Sequence, residues 1–328
     1  MTAGTGALAW PGGRARWLAA KVTGRLGQAL LTMLGASILV WLLFAFAPGD
    51  PAQRALAARG ILAPTPGELA SERHTLGLGH PVVYRYFSWL VGALHGSFGR
   101  SYITQLPVAT ELGSRLAPTL RLAAMGLLFM IVLAGLSGML AAFAANRAPD
   151  LAIRVVTVIC AATPSFITGL FIIQFVVIRL GIGQALGNGG WADAILPGVA
   201  LGLASLAVPA RVFRQSLIDG LESYYALVAH SRGASKLRIL LRHAAPNAIT
   251  PFTHAIAVAA ASLIGGTVIV EAVFNWPGLG SYLIQSVQAR DLPVVQAITL
   301  LATASYILAS LAADLISLAF DPHARGRS

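Results

Sequence analysis

Residues 223–247, SYYALVAHSRGASKLRILLRHAAPN, lie between two apolar stretches and interrupt them with basic and hydroxyl-bearing side chains. The stretch predicts two short helices joined at Gly233, because glycine adopts left-handed backbone angles at little cost. Ser235 is well placed to cap the second helix. Pro246 is expected to end that helix, since proline disrupts a helix interior. The segment is therefore predicted to be a helical hairpin.

The second helix of this hairpin is amphipathic. Leu237, Leu240 and Leu241 recur at helical spacing along one face, and basic residues occupy the remaining face. A short helix of this kind can dock into a groove of a partner protein, or it can rest on anionic lipid headgroups. The residues of the hairpin leave both interpretations open.

The composition around the hairpin is that of a membrane protein. The chain has 328 residues, of which 56% are hydrophobic and 11% are charged, and its mean hydropathy is +0.74. Soluble domains carry about 25% charged residues, and a bilayer core requires roughly 20 apolar residues per helix. We predict an all-α integral membrane protein with about six transmembrane helices. The stretches that meet or approach the required length are 26–47, 122–145, 155–178 with Pro164 inside it, 195–210, 252–274 and 294–320.

The distribution of basic residues predicts which segments face the cytoplasm. Basic residues outnumber acidic ones in the N-terminal segment, in the gaps between spans two and three and between spans four and five, and in the tail. By the positive-inside rule these segments are cytoplasmic, so both termini lie inside the cell. The first stretch is longer than a signal-peptide core of about 7–15 residues, and we interpret it as a retained span.

The predicted organisation follows from these boundaries. It consists of a cytoplasmic N-terminal segment (1–25), a first span (26–47), an external cap (48–118), a transmembrane core (119–320) that includes a cytoplasmic loop (211–251), and a cytoplasmic tail (321–328).

Two parts of the predicted cap carry local structural signals. Thr65, Pro66 and Glu68 have the form of a helix start, with Thr65 as the cap and Glu68 as its reciprocal partner. A second amphipathic stretch, 84–90, is rich in aromatic residues. These rings are either an interfacial belt or the small core of the cap, and we favour a cap that lies against the outer mouth of the bundle.

Several classes of function are not supported by the sequence. The net charge of +11 comes almost entirely from arginines in gaps between apolar runs, so no nucleic-acid partner is predicted. A P-loop requires Gly-Lys followed by Ser or Thr, whereas Lys21 follows Ala20 and Lys236 follows Ser235. The seven histidines are scattered and Cys160 stands alone, so we predict neither catalytic nor metal-ligating residues.

Two acidic residues, Glu271 and Asp314, fall inside or beside apolar spans. A carboxylate in a membrane is costly, and it is therefore a candidate functional group by default. The alternative is that each carboxylate is hydrogen-bonded between helices or lies near the headgroups.

The hairpin resembles the cytoplasmic "EAA" loop in the permease subunits of bacterial ATP-binding-cassette (ABC) importers. It is most similar to the branch that takes up dipeptides, oligopeptides and nickel. The matching residues are Tyr225, Ala229, Gly233, Ser235, Arg242, His243, Asn247, Ala248 and Pro251. The sequence departs from the family pattern at His230, Ser231, Arg232, Ala234 and Ala245. The resemblance implies that the loop contacts an ATPase, and the predicted coupling residues are Tyr225, Ala229, His230, Arg232, Gly233, Ser235, Leu237, Leu240, Arg242 and Asn247.

The resemblance extends over about residues 26–325. Residues 271–280, EAVFNWPGLG, are a specific match at the outer end of span five, and RDLPVVQ follows at 290–296. Asp314, in span six, is also part of the family pattern. The predicted outer-gate residues are Glu271, Phe274, Trp276, Pro277, Gly278 and Gly280.

The resemblance also implies the partners and the mechanism. A substrate-binding protein outside the cytoplasm delivers substrate, a second related permease encloses the path, and two ATPase subunits or a fused ATPase drive the cycle. ATP and Mg²⁺ bind to those partners, so no cofactor is predicted in this chain, which lies among lipids of the bacterial inner membrane. Displacement of the loop around Gly233 would switch the bundle between inward-open and outward-open states.

The substrate is predicted to be di- or oligopeptides, with nickel or a metal chelate, or glutathione, as alternatives. A stand-alone secondary transporter is an alternative of another class. It would call for polar relays at mid-membrane and inverted repeats, and neither is apparent. An intramembrane enzyme is disfavoured because no nucleophile–base or metal constellation is present.

Overall fold

The computed structural model describes the backbone of residues 12–46, 48–184 and 187–320. Side chains are described at residues 24, 27–46, 48–184, 187–263 and 265–311. Asp314 lies in a helix, but its side chain falls outside the described residues. The predicted tail 321–328 also lies outside them.

Helices make up nearly all regular structure in the described ranges. Two π-helical segments, Ile173–Arg179 and Leu240–Ala244, follow the seventh and eleventh α-helices directly. The α-helices of the described residues are α1 (Gly12–Phe46), α2 (Pro51–Ala58), α3 (Pro66–Thr75), α4 (Val82–Leu94), α5 (Val108–Phe143), α6 (Ala148–Ala162), α7 (Ser165–Ile172), α8 (Ile195–Ser205), α9 (Ala207–Leu221), α10 (Tyr224–Ser231), α11 (Lys236–Ile239), α12 (Ala245–Val273), α13 (Leu279–Ala289) and α14 (Leu292–Phe320).

Six candidate membrane spans are present in the described residues when each bent helix pair is taken as one span, which confirms the predicted number. The first bend coincides with Pro164, where the sequence predicts an interruption. The continuous spans are Gly27–Phe46, Val108–Phe143 and Leu292–Leu311. The bent spans are Ala148–Ala162 with Ser165–Arg179 (102°), Ile195–Ser205 with Ala207–Leu221 (59°), and Lys236–Leu263 with Gly265–Val273 (55°).

The second span begins earlier than its apolar run. α5 starts at Val108 and continues through Pro118, so the predicted cap boundary at 118 falls inside a helix. The hydropathy pattern fails here because the first turns carry charged residues. In the structure those charges have partners: Glu111 accepts a hydrogen bond from the Tyr282 hydroxyl, and Arg121 donates to the Gly189 carbonyl at 2.8 Å.

The expectation that Pro246 ends the second hairpin helix is wrong. α11, the π segment Leu240–Ala244 and α12 follow one another directly, and Pro246 lies in the first turn of α12. The hydrogen-bond register changes there from i→i+5 to i→i+4. The proline therefore occupies a position equivalent to a helix N-terminus, where a missing N–H is tolerated.

Small residues allow the core helices to approach closely. α5 packs against α8 and α9, and α12 packs against α9 and α14. A Cβ atom at Gly202 would lie 2.8 Å from the Phe129 Cβ and 2.9 Å from the Met130 backbone nitrogen. A Cβ atom at Gly138 would lie 2.9 Å from the Ala210 carbonyl oxygen. Such close contacts are important in a membrane. Lipid tails are as apolar as the side chains, so the hydrophobic effect contributes little free energy to helix association there.

The cap, defined here as residues 48–107, contains α2–α4 and packs on the ends of α1 and α14. Trp41, Tyr86, Tyr102 and Leu292 are buried in one cluster, in which the Trp41 and Tyr86 rings are 5.5 Å apart. Phe87 of the same aromatic stretch is exposed. The rings of α4 are therefore divided between the core of the cap and its outer face.

The helix start predicted at Thr65 is confirmed. The Thr65 hydroxyl accepts from the Glu68 backbone N–H at 3.3 Å, and the Glu68 carboxylate accepts from the Thr65 backbone N–H at 2.7 Å. The Thr65 backbone N–H and, secondly, the Thr65 hydroxyl donate to the Glu68 carboxylate, and these two bonds lower the pKa of the Glu68 carboxyl below its ordinary value.

Candidate functional site

The predicted hairpin forms, and its joint has the expected backbone conformation. Gly233 has φ +83° and connects α10 to α11. Ser223 caps α10 through the Ala226 N–H, and Ser235 caps α11 through the Arg238 N–H, each at 3.4 Å. A Cβ atom at Gly233 would meet no other atom within 4 Å. The glycine is therefore required by backbone angle rather than by space.

Two hydrogen bonds and one buried side chain fix the inner side of the hairpin to the bundle. The Asn247 side-chain amide donates to the Tyr225 hydroxyl at 3.2 Å, which joins α10 to the start of α12. The Lys236 ammonium donates to the Phe143 carbonyl at 2.8 Å, at the C-terminal end of α5 where a cation is favoured. Leu240 is completely buried in the core cluster. The hairpin is thus held to several helices at once.

The outer side of the hairpin is an exposed surface of apolar and basic residues. We call it the coupling surface. Tyr224 is 81% exposed and Leu227 is 65% exposed. Its members are Tyr224, Leu227, His230, Arg232, Leu237, Arg238, Leu241 and Arg242, all of which are exposed.

The prediction that three leucines share one face needs correction. Leu237 and Leu241 are about half exposed, whereas Leu240 points into the bundle. Leu240 is one residue out of register with the other two, and it joins Ile239 and Ala244 in the buried interior. With Leu240 excluded, the apolar side chains of the coupling surface come from both hairpin helices: Tyr224 and Leu227 lie on α10, and Leu237 lies on α11.

An ion pair that the sequence did not predict braces the helices beside the hairpin. Asp150, at the start of α6, is completely buried and accepts two bonds from the guanidinium of Arg214 in α9, at 2.6 and 2.7 Å. It also accepts from the Asn146 N–H at 3.1 Å. A bidentate pair of this kind fixes both distance and orientation between two helices.

At the other end of α12, Glu271 is the centre of a buried hydrogen-bond network. Its carboxylate accepts from the Gly280 N–H at 2.6 Å, the Ser281 N–H at 3.1 Å and the Thr119 hydroxyl at 2.7 Å. Thr119 in turn accepts from the Leu279 N–H at 2.8 Å. The carboxylate therefore sits at the N-terminus of α13, where helix N–H groups favour an anion. The interpretation of Glu271 as an interhelical hydrogen-bonding group is confirmed.

The other predicted outer-gate residues build the same junction. Trp276 is 1% exposed and donates its Nε1–H to the Pro118 carbonyl at 3.0 Å. A Cβ atom at Gly278 would lie 2.4 Å from the Glu271 carboxyl carbon. At Gly280 it would lie 2.4 Å from the Cα of Val268.

We call this assembly of α5, α12 and α13 the outer junction. Its remaining predicted members are Phe274, which is buried, and Pro277, which is half-buried.

The cap is attached beside the outer junction through Asp291. This residue lies between α13 and α14, and it accepts hydrogen bonds from the Ser101 hydroxyl, from the Tyr102 N–H at 3.0 Å and from the Ile103 N–H at 3.4 Å. Burial raises the pKa of Asp291 above its ordinary range, and these donors oppose that rise.

Sequence reasoning missed the partners in these networks. Asp291 lies in the quoted RDLPVVQ match, which was the one available signal for its importance. No motif in the sequence indicated that Thr119, Asp150 and Arg214 take part in these networks. Within the part of the chain that the structure describes, no three His, Cys, Asp or Glu side chains form a group that could hold a metal ion.

Comparisons with known proteins agree with this architecture. The family model described as "Binding-protein-dependent transport system inner membrane component" matches residues 134–326, and a model for the N-terminal part of the same kind of membrane component matches residues 18–123. The "Glutathione transport system permease protein GsiC" of Shigella flexneri serotype 5b is 36% identical over 303 residues, which cover 92% of this chain and 97% of that protein. The protein of that name from Escherichia coli K12 is 35% identical over the same coverage.

Solved structures show the same fold for the larger part of the chain. An inward-facing structure of the MetNI methionine ABC transporter aligns with a TM-score of 0.54 at 20% identity, covering 64% of this chain and 96% of that one. An amino acid ABC transporter aligns with a TM-score of 0.50 at 18% identity, covering 64% and 94%. The chain belongs to the family of binding-protein-dependent transport system inner membrane components, and it is a permease subunit of an ABC importer.

Proposed function

We propose that this permease forms, together with a second permease, the membrane path of an importer for short peptides, including glutathione. A substrate-binding protein outside the cytoplasm delivers the peptide, and two ATPase subunits or a fused ATPase act on the coupling surface. Both termini and the hairpin lie in the cytoplasm, in agreement with the distribution of basic residues.

The coupling role is supported by one observation: the hairpin has an exposed outer side and an inner side that is bonded to the bundle. Its outer side exposes apolar side chains such as Leu237 and Leu241 among basic ones, which suits a groove on a partner protein. Its inner side is bonded to the bundle through Tyr225, Asn247 and Lys236. A movement of the outer side is therefore transmitted to the helices rather than absorbed by a loose loop.

α12 provides the route from the hairpin to the outer junction. It follows the hairpin directly and continues for 29 residues, with a 55° bend between Leu263 and Gly265, as far as the outer junction. Its far end carries Glu271, which ties it to α5 and α13. We propose that partner movement tilts α12 and moves the outer junction as a unit between two states.

ATP chemistry is assigned to the partner subunits. Neither lysine of the chain, Lys21 or Lys236, stands in a Gly-Lys-Ser/Thr motif. Lys236 also has a structural role, because its ammonium binds the Phe143 carbonyl. We therefore propose that ATP and Mg²⁺ are bound only by the ATPase subunits.

The substrate class is supported by the relatives. Those at 35–36% identity over nearly the whole chain carry glutathione in their names, and glutathione is a small peptide. The sequence resemblance to peptide permeases supports the same class. We therefore place short peptides ahead of nickel or metal chelates.

Reconstitution tests the proposal. The permease is placed in proteoliposomes with its second permease, ATPases and binding protein, and ATP-dependent uptake of labelled glutathione, a labelled dipeptide and Ni²⁺ is measured. Peptide uptake that requires ATP and all partners is expected. Uptake by the permease alone, driven by an ion gradient, would contradict the importer mechanism, and uptake of Ni²⁺ but neither peptide would contradict the substrate class.

A further inference from the structure

A polar chamber of about 480 Å³ lies between the cap and the bundle. It is away from the hairpin and is lined by the ends of α1 and α14, by α4 and by the loop before α5. The residues of interest in its wall are Trp41, Arg85, Trp89, Arg100 and Gln296. None of these residues has a role in the coupling surface or in the outer junction.

Several buried polar atoms in this wall lack a hydrogen-bond partner among the described residues. They are Nε1 of Trp41, Nε1 of Trp89 and both amide atoms of Gln296. Trp41 is 7% exposed and Gln296 is 1% exposed. Buried polar groups are nearly always hydrogen-bonded, and an unmet one is costly. Three of the four atoms are N–H donors, which suit a bound molecule that accepts hydrogen bonds, and the Gln296 Oε1 atom requires a donor such as a hydroxyl on the same molecule.

The charge of the chamber favours an anion. Arg85 and Arg100 line it, and no acidic residue does so in the part of the chain that the structure describes. The Arg85 guanidinium lies 5.5 Å from the centre of the Trp41 ring. Arginine and indole N–H groups together suit a phosphate, whose oxygens accept several hydrogen bonds at once.

A separate apolar groove of about 430 Å³ lies further along α1, α4 and α14 and is also lined by α5. It is lined by Leu30 and Leu34 on α1, by Leu90 and Leu94 on α4, by Gly113 on α5 and by Leu301 on α14. Those on α1, α4 and α14 lie further along the helices that carry Trp41, Trp89 and Gln296. The polar chamber and the apolar groove share no lining residue, but they follow one another along these helices in the order that the headgroup and acyl chain of a lipid require.

The outward face of α4 places this site at the membrane. Val83, Phe87, Val91 and Leu94 recur at helical spacing and are all exposed, which is the pattern of a helix lying in the membrane interface. A molecule that reaches the site from that side comes from the bilayer rather than from solution.

We propose that this site binds one phospholipid with an anionic headgroup. The phosphate occupies the polar chamber against Arg85, Arg100, Trp41, Trp89 and Gln296, and an acyl chain occupies the apolar groove. The bound lipid fastens the cap to the first and last spans. The proposal does not depend on which substrate the importer carries.

Native mass spectrometry of the assembled importer, purified in mild detergent with dioleoylphosphatidylglycerol, tests this site. Arg100→Gln and Gln296→Leu remove headgroup contacts, with Arg179→Gln as the matched arginine control outside the chamber. Gly113→Phe fills the groove, because a Cβ atom there meets nothing within 4 Å. Gly35→Phe is its control, since Gly35 has the same open surroundings but does not line the groove.

We expect one retained phosphatidylglycerol per wild-type permease and about tenfold weaker retention in Arg100→Gln, Gln296→Leu and Gly113→Phe. Both controls should keep the lipid. Equal retention in all variants would overturn the proposal. Displacement by soluble glycerol 3-phosphate at matched concentration would assign the chamber to a soluble anion instead. If the isolated permease retains the lipid but the assembled importer does not, the groove is occupied by the second permease in the complex, and the proposal is overturned.

Discussion

Asn247 donates its side-chain amide to the hydroxyl of Tyr225 across 3.2 Å, and this bond closes the hairpin onto the first turns of α12. Both residues belong to the pattern that the hairpin shares with importer permeases. The bond links the segment that we propose meets the ATPase to the helix that reaches the outer junction. It is therefore the most direct structural test of coupling in this chain.

Tyr225→Phe should weaken coupling without preventing assembly. The substitution keeps the ring and removes one hydrogen bond, which contributes about 0.5–1.5 kcal/mol in typical proteins. Uptake per ATP hydrolysed should fall severalfold in proteoliposomes while ATPase activity persists. Tyr306→Phe is the matched control, because Tyr306 is an exposed tyrosine on α14, outside the hairpin. Equal coupling in the two variants would show that the bond does not transmit movement.

Gly233→Val should uncouple ATP hydrolysis from uptake. Gly233 has φ +83° and open space around its Cβ position, so the penalty is backbone strain of about 1–3 kcal/mol rather than a clash. Gly60→Val is the control, since Gly60 has φ +90° with equally open space in the cap. Uptake and ATPase rates are measured for both. Normal uptake by Gly233→Val would count against the role of this joint.

Asp150→Asn should destabilise the bundle. It leaves the guanidinium of Arg214 without its buried carboxylate, and breaking a buried pair costs about 3–5 kcal/mol. A clear drop in the Tm of the detergent-purified permease is expected. Asp219→Asn is the control, because the contact of Asp219 with Gln215 is exposed. The double variant Asp150→Asn with Arg214→Gln should lose less than the sum of the single changes, and simple additivity would contradict a direct pair.

Thr119→Val should loosen the outer junction. The change removes the donor to Glu271 and the acceptor for the Leu279 N–H, and leaves buried groups unpaired at about 1–3 kcal/mol each. Thermal unfolding in detergent and limited proteolysis at 274–281 measure the effect. Thr163→Val is the control, because its hydroxyl bonds only within its own helix turn at an exposed position. An unchanged Tm for Thr119→Val would mean that the network adds little stability.

Leu237→Ser should weaken ATPase binding while the permease remains folded. Leu237 is half exposed on the coupling surface, so its loss removes contact area but leaves the bundle core intact. Co-purification with the ATPase, measured against salt, should fall about tenfold in affinity, because truncating an interface anchor typically costs about 1–2 kcal/mol. Leu62→Ser in the cap is the control, since Leu62 is also strongly exposed. Equal co-purification of both variants would place the ATPase contact elsewhere.

The local features of this fold were accessible before any coordinates. Thr65 and Ser235 cap helices, Gly233 takes the left-handed conformation, and Pro164 breaks a span, because each depends on a residue and its immediate neighbours. The number of spans followed from hydropathy alone, since the bilayer imposes one length on every helix that crosses it.

Other features required the packed structure. The sequence contains many threonines and arginines, and nothing local distinguishes Thr119 or Arg214 as the partner of a buried carboxylate. Leu240 faces the packed interior of the bundle, and Pro246 continues a helix because a π segment ends directly before α12; no hydropathy pattern reveals either feature.

By itself the sequence determined the membrane class, the spans and the hairpin, because hydropathy and backbone preference belong to single residues and short windows. Only the tertiary structure decided which distant groups meet, such as Glu271 with Thr119 and Trp41 with Gln296 around one chamber. Those pairings depend on helix rotation and tilt, and these are set by packing among all the helices at once.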